Sequence, residues 1–155
     1  MRIGFLIAVA FVSACSGATA PDEERTLLVQ FDRTPTLDDA SALRAQGAGV
    51  VTILGFAQAA AIRGEMNDRY VALAGVAAVE DLGAVRNPTV SAFVELSRSA
   101  TAEDVTLAES VPGVERAGIS GNLVVVVLAL DAARGLALAV PNIVSMRLHG
   151  PSRIG

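Results

Sequence analysis

Few residues in this chain carry side chains that could do covalent or metal chemistry. The sequence has one cysteine, Cys15, one histidine, His149, and no lysine. A zinc or copper site needs a cluster of such ligands, so the composition predicts no metal and no cofactor. The stretch Gly118-Ile119-Ser120-Gly121 lacks the G-x-S-x-G spacing of a nucleophile elbow. We therefore expect no catalytic residues and a protein that is not an enzyme.

The surroundings of Cys15 predict a covalent lipid. An apolar run follows Arg2, and this order is typical of a secretory signal peptide. The run is shorter than a transmembrane helix usually is. Val12-Ser13-Ala14-Cys15 resembles the lipobox of bacterial lipoproteins. The resemblance implies a signal peptide at 1–14, cleavage before Cys15 and acylation of that residue, so that the lipid holds the protein on a membrane. The alternative is ordinary cleavage near Ala18-Thr19-Ala20, which would discard the cysteine.

The residues after Cys15 bear on location and on partners. Ser16 stands where an aspartate is associated with inner-membrane retention, which favours the outer membrane, facing the periplasm. The segment 15–25 is small, polar and acidic, and we predict a flexible tether. From Cys15 onward the chain has 11 basic and 16 acidic residues, a net charge near −5. That charge argues against nucleic acid or an anionic lipid surface as a partner.

An internal repeat organises the rest of the chain. The stretch LLVQFDRTPTLDDASAL matches AFVELSRSATAEDVTLA at an offset of 65, and the apolar pattern continues beyond them in the same register without a gap. The matched pairs include Val29 with Val94, Arg33 with Arg98, Thr36 with Thr101, Asp39 with Asp104 and Val79 with Val144. Chance similarity between two Ala/Val-rich segments is the alternative, and the constant register disfavours it. We predict a duplicated unit at 26–85 and 90–150.

Both copies predict the element order β-α-β-β-α-β. Thr36-x-x-Asp39 and its repeat are typical of helix starts, and Ser120-Gly121-Asn122 of a tight turn. The predicted strands lie at 27–31, 49–54, 57–63, 76–82, 92–96, 114–119, 123–130 and 142–148. We expect a helix of about three turns after each Thr-x-x-Asp, then second helices at 67–75 and 132–140, with Asp131 as N-cap. This order predicts an α+β fold of two tandem ferredoxin-like units, each an antiparallel four-stranded sheet with two helices on one face.

The first unit resembles the subtilisin propeptide, or inhibitor I9, family. The resemblance rests on TLLVQF, on Gly55-Phe56 in the central hairpin, and on Val76-x-x-Val79-Glu80 after the second helix. It implies a fold that inhibits or chaperones subtilisin-like serine proteases. In that family the sheet packs on two enzyme helices, acidic residues near the last strand cap those helices, and the C-terminal tail enters the substrate cleft.

Carried over by position, the resemblance implies a set of partner-binding residues. Glu80 and Asp81 would be the helix-capping acids, and the tails would be Gly83–Asn87 and His149–Gly155. The second tail supplies His149, Pro151 and Arg153 as contact residues.

Three functions follow from the sequence. The first is a lipid-anchored, non-catalytic cell-envelope protein that binds a protein partner through twin ferredoxin-like domains. The second is an inhibitor or chaperone of an extracytoplasmic subtilisin-like protease. The third is a sensor module that binds a small ligand between its two domains.

Overall fold

The computed structural model describes residues 24–151. The predicted signal peptide, the predicted lipobox with Cys15, residues 15–23 of the predicted tether, and Arg153 lie outside the described residues, so what was predicted for them stays a prediction. Within 24–151, none of the helices is long and apolar enough to cross a membrane.

The described residues form two successive sets of four strands and two helices. Unit 1 contains β1 (Arg25–Phe31), α1 (Leu37–Ala45), β2 (Val50–Leu54), β3 (Ala59–Gly64), α2 (Asp68–Val71) and β4 (Val76–Asp81). Unit 2 contains β5 (Thr89–Leu96), α3 (Ala102–Glu109), β6 (Val114–Ser120), β7 (Leu123–Ala129), α4 (Ala133–Ala139) and β8 (Ile143–His149). The sheets are antiparallel and separate, in the orders β2-β3-β1-β4 and β6-β7-β5-β8. The prediction of an α+β fold with two tandem ferredoxin-like units is confirmed.

The second helix of each unit differs from its predicted extent. In unit 1, Asn67 caps α2 by accepting from the Arg69 backbone, but the helix has 4 residues and the chain then turns through Gly75 at φ +79°. In unit 2, Asp131 is not the N-cap of α4, because it lies in a 3₁₀ turn (Leu130–Ala132) that precedes the helix. Contacts with the segment between the units hold that turn, since the Asp131 N–H donates to Asn87 Oδ1. The first helices are also shorter than the expected three turns, at 9 residues in α1 and 8 in α3.

The repeat register is not constant, contrary to the sequence prediction. The offset of 65 holds from β1 and α1 to β5 and α3, but Leu28 pairs with Ala61 and Glu80, whereas Phe93 pairs with Val125 and Arg147. Equivalent residues are therefore 64 apart in β3 and β7, and 67 apart in β4 and β8. A bulge after Val114, a shorter hairpin loop in unit 2 and a longer α4 account for the drift. Val79 thus corresponds to Met146 and not to Val144.

Both first helices begin with the same ion pair, between a buried aspartate and an exposed arginine. In unit 2, the Arg98 guanidinium donates to both Asp104 carboxylate oxygens at 2.7 Å, and the Thr101 N–H and Oγ1 donate to Asp104 Oδ2 at 2.8 and 3.0 Å. Arg33 and Asp39 repeat this arrangement in unit 1. The hydrogen bonds from the arginine hold the pKa of each carboxyl well below its ordinary range.

These lowered pKa values predict acid sensitivity. A carboxyl whose pKa is lower in the folded than in the unfolded chain stabilises the fold above the unfolded value, about 4, and this contribution is lost as the pH falls further. We expect the Tm to fall below about pH 4, and to fall less steeply in Asp104→Asn, since asparagine does not titrate there. Thermal denaturation followed by circular dichroism between neutral pH and pH 2 measures this. Glu103→Gln, an exposed neighbour, is the control, and an unchanged slope in Asp104→Asn would contradict the assignment.

The hydrophobic core shows how the two units pack together. A first cluster lies between the sheet and helices of unit 1 and includes Leu27, Val29 and Tyr70. A second, larger cluster fills the interior of unit 2 and also contains Leu28 and Ala59, which lie on the face of the unit 1 sheet opposite α1 and α2. Because unit 2 covers this opposite face, the β1 strand is buried on both sides, with Leu27, Leu28 and Val29 all 0% exposed.

Candidate partner-binding surface

One face of the unit 2 sheet points away from the core, and alternate residues of each strand lie on it. On β5, Val90, Ala92 and Val94 are buried, so Ser91 and Phe93 point to the opposite face. Residues paired across antiparallel strands share a face, which adds their cross-strand partners. Glu95, two residues after Phe93, points the same way, and Arg116 on β6 lies opposite Val127. We call this set the unit 2 sheet face: Ser91, Phe93, Glu95, Arg116, Leu123, Val125, Val127, Ser145, Arg147 and His149.

Phe93 lies at the centre of this face with an unusually open environment for a phenylalanine. It is 37% exposed, and Val125 and Arg147 lie directly opposite it on the two neighbouring strands. Its repeat equivalent in unit 1, Leu28, is 0% exposed because unit 2 covers it. Within residues 24–151, the same position of the fold is therefore buried in one unit and left open in the other.

The predicted contact residue His149 lies on the unit 2 sheet face, opposite Ser91. Its ring meets Phe93 edge to face, with the centroids 5.5 Å apart and an interplanar angle of 75°. The same ring lies beside Glu80 of unit 1, with 4.0 Å between Nδ1 and Oε2. This geometry joins the aromatic side chain of unit 2 to the last strand of unit 1.

Glu80 is held by contacts within the chain. Its Oε1 accepts from the Gly150 N–H at 3.0 Å, and its Oε2 accepts from Gln30 Nε2 at 3.2 Å. Gln30 also donates to the Leu148 carbonyl at 3.1 Å, so these bonds tie β1 and β4 to the end of β8. The structure thus brings together Glu80 and His149, two residues that the sequence assigned to partner binding, and Pro151 follows them as an exposed residue.

Asp81 lies apart from this group. Its carboxylate accepts from Arg25 Nε at 2.6 and 2.8 Å and from the Gly83 N–H at 2.9 Å. The predicted tail of unit 1 starts here and is also anchored, since Thr26 Oγ1 donates to the Val85 carbonyl at 2.6 Å. Asp81 and this tail therefore stabilise unit 1 itself.

Charges of both signs lie on the unit 2 sheet face. Arg116 and Arg147 are exposed on it. Glu95 lies on the same face and accepts from Ser145 Oγ at 2.9 Å and from Asn122 Nδ2 at 3.3 Å. Glu115 accepts from Thr89 Oγ1 at 3.1 Å at one end of β5. The face therefore suits a partner that presents an apolar centre surrounded by polar groups and charges of both signs.

Phe93 was not predicted from the sequence as a binding residue. A usable signal was present, because Phe93 alternates in phase with Ser91 and Glu95 and not with the buried Val90, Ala92 and Val94. Among residues 24–151, no group of three or more His, Cys, Asp or Glu side chains is arranged to hold a metal ion.

No protein-family model and no curated protein matches the chain. The resemblance to the inhibitor I9 family accordingly rests on the sequence patterns quoted above.

Proposed function

We propose that this protein is a lipid-anchored, non-catalytic component of the bacterial cell envelope that binds a protein partner through the unit 2 sheet face. The observation that carries the proposal is the contrast between Phe93 and Leu28. The two occupy one position of the repeat, yet Phe93 is exposed while Leu28 is covered by the second unit. An exposed aromatic ring flanked by valines and arginines has the composition of an interface centre.

Because unit 2 packs on unit 1, the two sheet faces have different roles in this proposal. The face of the unit 1 sheet opposite α1 and α2 packs against unit 2 through Leu28, Ala59 and Gln30. The unit 2 sheet face then remains for an external partner. Unit 1 is the structural half in this proposal, and unit 2 carries the contact surface.

The alternative function is inhibition or chaperoning of a subtilisin-like protease. It is favoured by the fold, because the resemblance implies that the open sheet face of such a unit packs on two enzyme helices. Since unit 2 covers that face in unit 1, the corresponding contact surface in this protein would be the unit 2 sheet face. The C-terminal residues beyond His149 would then be the segment that approaches the substrate cleft.

Site-specific crosslinking tests the partner proposal. A photoreactive benzoyl-phenylalanine at position 93 of the lipidated protein should give a discrete adduct in cells that produce it. The same group at Ile119 is the control, because Ile119 is 46% exposed but lies on the other side of the sheet, toward α3 and α4. Adducts of equal pattern and yield from both positions, or none from position 93, would overturn the proposal.

An inhibition assay separates the two functions. If the alternative is correct, protein beginning at residue 21 slows cleavage of a peptide by a subtilisin-type enzyme. Phe93→Arg should then weaken inhibition at least tenfold, as expected for a central interface residue, while Ile119→Arg should not. Removal of His149–Gly155 should weaken it as well. Absence of inhibition at micromolar excess would reject the protease alternative and leave the general proposal standing.

The lipid anchor has its own test. Wild-type protein should sediment with membranes, and Cys15→Ser should appear in the soluble fraction, because the acyl chains provide the hydrophobic attachment. Fractionation followed by immunoblotting measures the distribution, and Ser16→Ala is the control. A Cys15→Ser protein that still sediments with membranes would contradict lipid anchoring.

A further inference from the structure

A cavity of about 480 Å³ lies between the two units, away from the unit 2 sheet face. Its walls come from β2 and β3 of unit 1, from the segment joining the units, and from the 3₁₀ turn and first residues of α4 in unit 2. Cavities of a few hundred cubic ångströms are of the size that small molecules occupy in proteins. Unit 2 covers only part of this face of the unit 1 sheet, and the cavity lies where Val50 and Thr52 of β2 are left exposed.

The floor of the cavity is apolar. Leu54, Ala61 and Leu130 line it, and Val50 extends it toward the opening. Leu54 and Leu130 are 5% and 6% exposed, but Val50 is 56% exposed. An aliphatic chain lying against Val50 would remove this side chain from water, which is favourable at about 25 cal/mol per Å² of apolar surface.

The rim of the cavity is positively charged. Arg63, Arg86 and Arg134 line it together with a single carboxylate, Asp131. Arg63 is fixed, since it donates to Thr26 Oγ1 at 2.7 Å and to the Glu24 carbonyl at 3.0 Å. Within residues 24–151, the guanidiniums of Arg86 and Arg134 make no hydrogen bond or ion pair, so both can turn toward a ligand.

We propose that this cavity binds a small amphiphilic carboxylate, with its aliphatic chain on the apolar floor and its carboxylate at Arg86 and Arg134. Arginine suits this task because its planar guanidinium can donate two parallel hydrogen bonds to one carboxylate. Because both units supply lining residues, a bound ligand would contact the sheet of unit 1 and α4 of unit 2 together and stabilise their packing. The site is independent of the proposed protein partner.

Calorimetric titration with decanoate at pH 7, below its micellar range, tests the proposal. We expect one decanoate per protein chain, with an affinity that falls as salt is added because the charged rim is exposed. Decan-1-ol, the matched neutral probe, should bind at least tenfold more weakly, a difference of about 1.4 kcal/mol. Decyltrimethylammonium should not bind. Equal affinities for the three probes, or no decanoate binding, would overturn the proposal.

Matched variants locate the binding site. Arg134→Gln and Arg86→Gln should each weaken decanoate binding about fivefold to tenfold, in line with loss of a charge-assisted hydrogen bond. Arg147→Gln removes the same charge from the unit 2 sheet face and should leave the affinity unchanged. Thr52→Phe, at an exposed position on β2 that lines the cavity, should block binding while circular dichroism remains that of the wild type. An Arg147→Gln effect equal to that of Arg134→Gln would show unspecific attraction and reject the site.

Discussion

Leu28→Ala is expected to lower the free energy of unfolding by about 3 kcal/mol, whereas Phe93→Ala should lower it by less than about 1 kcal/mol. Leu28 is 0% exposed and belongs to the cluster shared by both units, so truncation leaves a cavity at their interface. Phe93 lies at the equivalent position of the repeat but on an open face, where truncation leaves no cavity. Urea denaturation monitored by circular dichroism gives both values.

Phe93→Ala serves as the matched control for Leu28→Ala, since the two residues occupy the same strand position in equivalent sheets. Val29→Ala adds a reference for an ordinary core position on the other side of β1, where we also expect a loss above about 1 kcal/mol. Similar costs for Leu28→Ala and Phe93→Ala would mean that the faces of the two sheets are equally covered. That result would contradict the packing of unit 2 on unit 1.

Tyr70→Ala should lower the free energy of unfolding of unit 1 by about 4 kcal/mol. Tyr70 is 0% exposed and is one of the largest fully buried side chains in the described part of the chain. It projects from the short helix α2 into the cluster formed with Leu27, Val29 and Leu43. Because α2 has only 4 residues, this one side chain supplies most of its attachment to the core.

Tyr70→Phe is the control for that experiment. The Tyr70 hydroxyl is buried beside the Asn67 side chain but makes no hydrogen bond of good geometry among the described residues, so its removal costs at most a weak interaction. We expect Tyr70→Phe to be within about 1 kcal/mol of the wild type and to have equal or higher stability. A loss in Tyr70→Phe as large as that in Tyr70→Ala would show that the hydroxyl, and not the ring, anchors α2.

Local sequence signals predicted the order of strands and helices within each unit. The alternation in β1, the Thr-x-x-Asp helix starts and the tight turn at Gly121 depend on residues close in sequence, and the structure contains all three features. The capping aspartates gained a second role that spacing did not reveal, since Arg33 and Arg98 reach them from the preceding loops. The α2 helix was overpredicted because propensity favours a longer helix than the turn at Gly75 allows.

The relation between the units could not be predicted from local patterns. Alternation marks Leu28 as outward on β1, and only unit 2, far along the chain, covers it. The ties through Gln30 to Leu148 and through Glu80 to Gly150 likewise join residues 118 and 70 positions apart. The candidate surface and the cavity both follow from this packing. Phe93 becomes distinctive only because Leu28 is covered, and Arg86 and Arg134 line one cavity only when the units are packed together.

Solvent exposure of Leu28 and Phe93 in solution tests the central claim most directly. Nuclear magnetic resonance spectra of protein beginning at residue 21 can be recorded with increasing amounts of a soluble, uncharged gadolinium chelate. Because Phe93 is exposed and Leu28 is covered by unit 2, we expect strong broadening of the Phe93 ring signals and little broadening of the Leu28 methyl signals. Equal broadening of the two would show that unit 2 does not cover the sheet of unit 1, and would contradict the assignment of one structural face and one binding face.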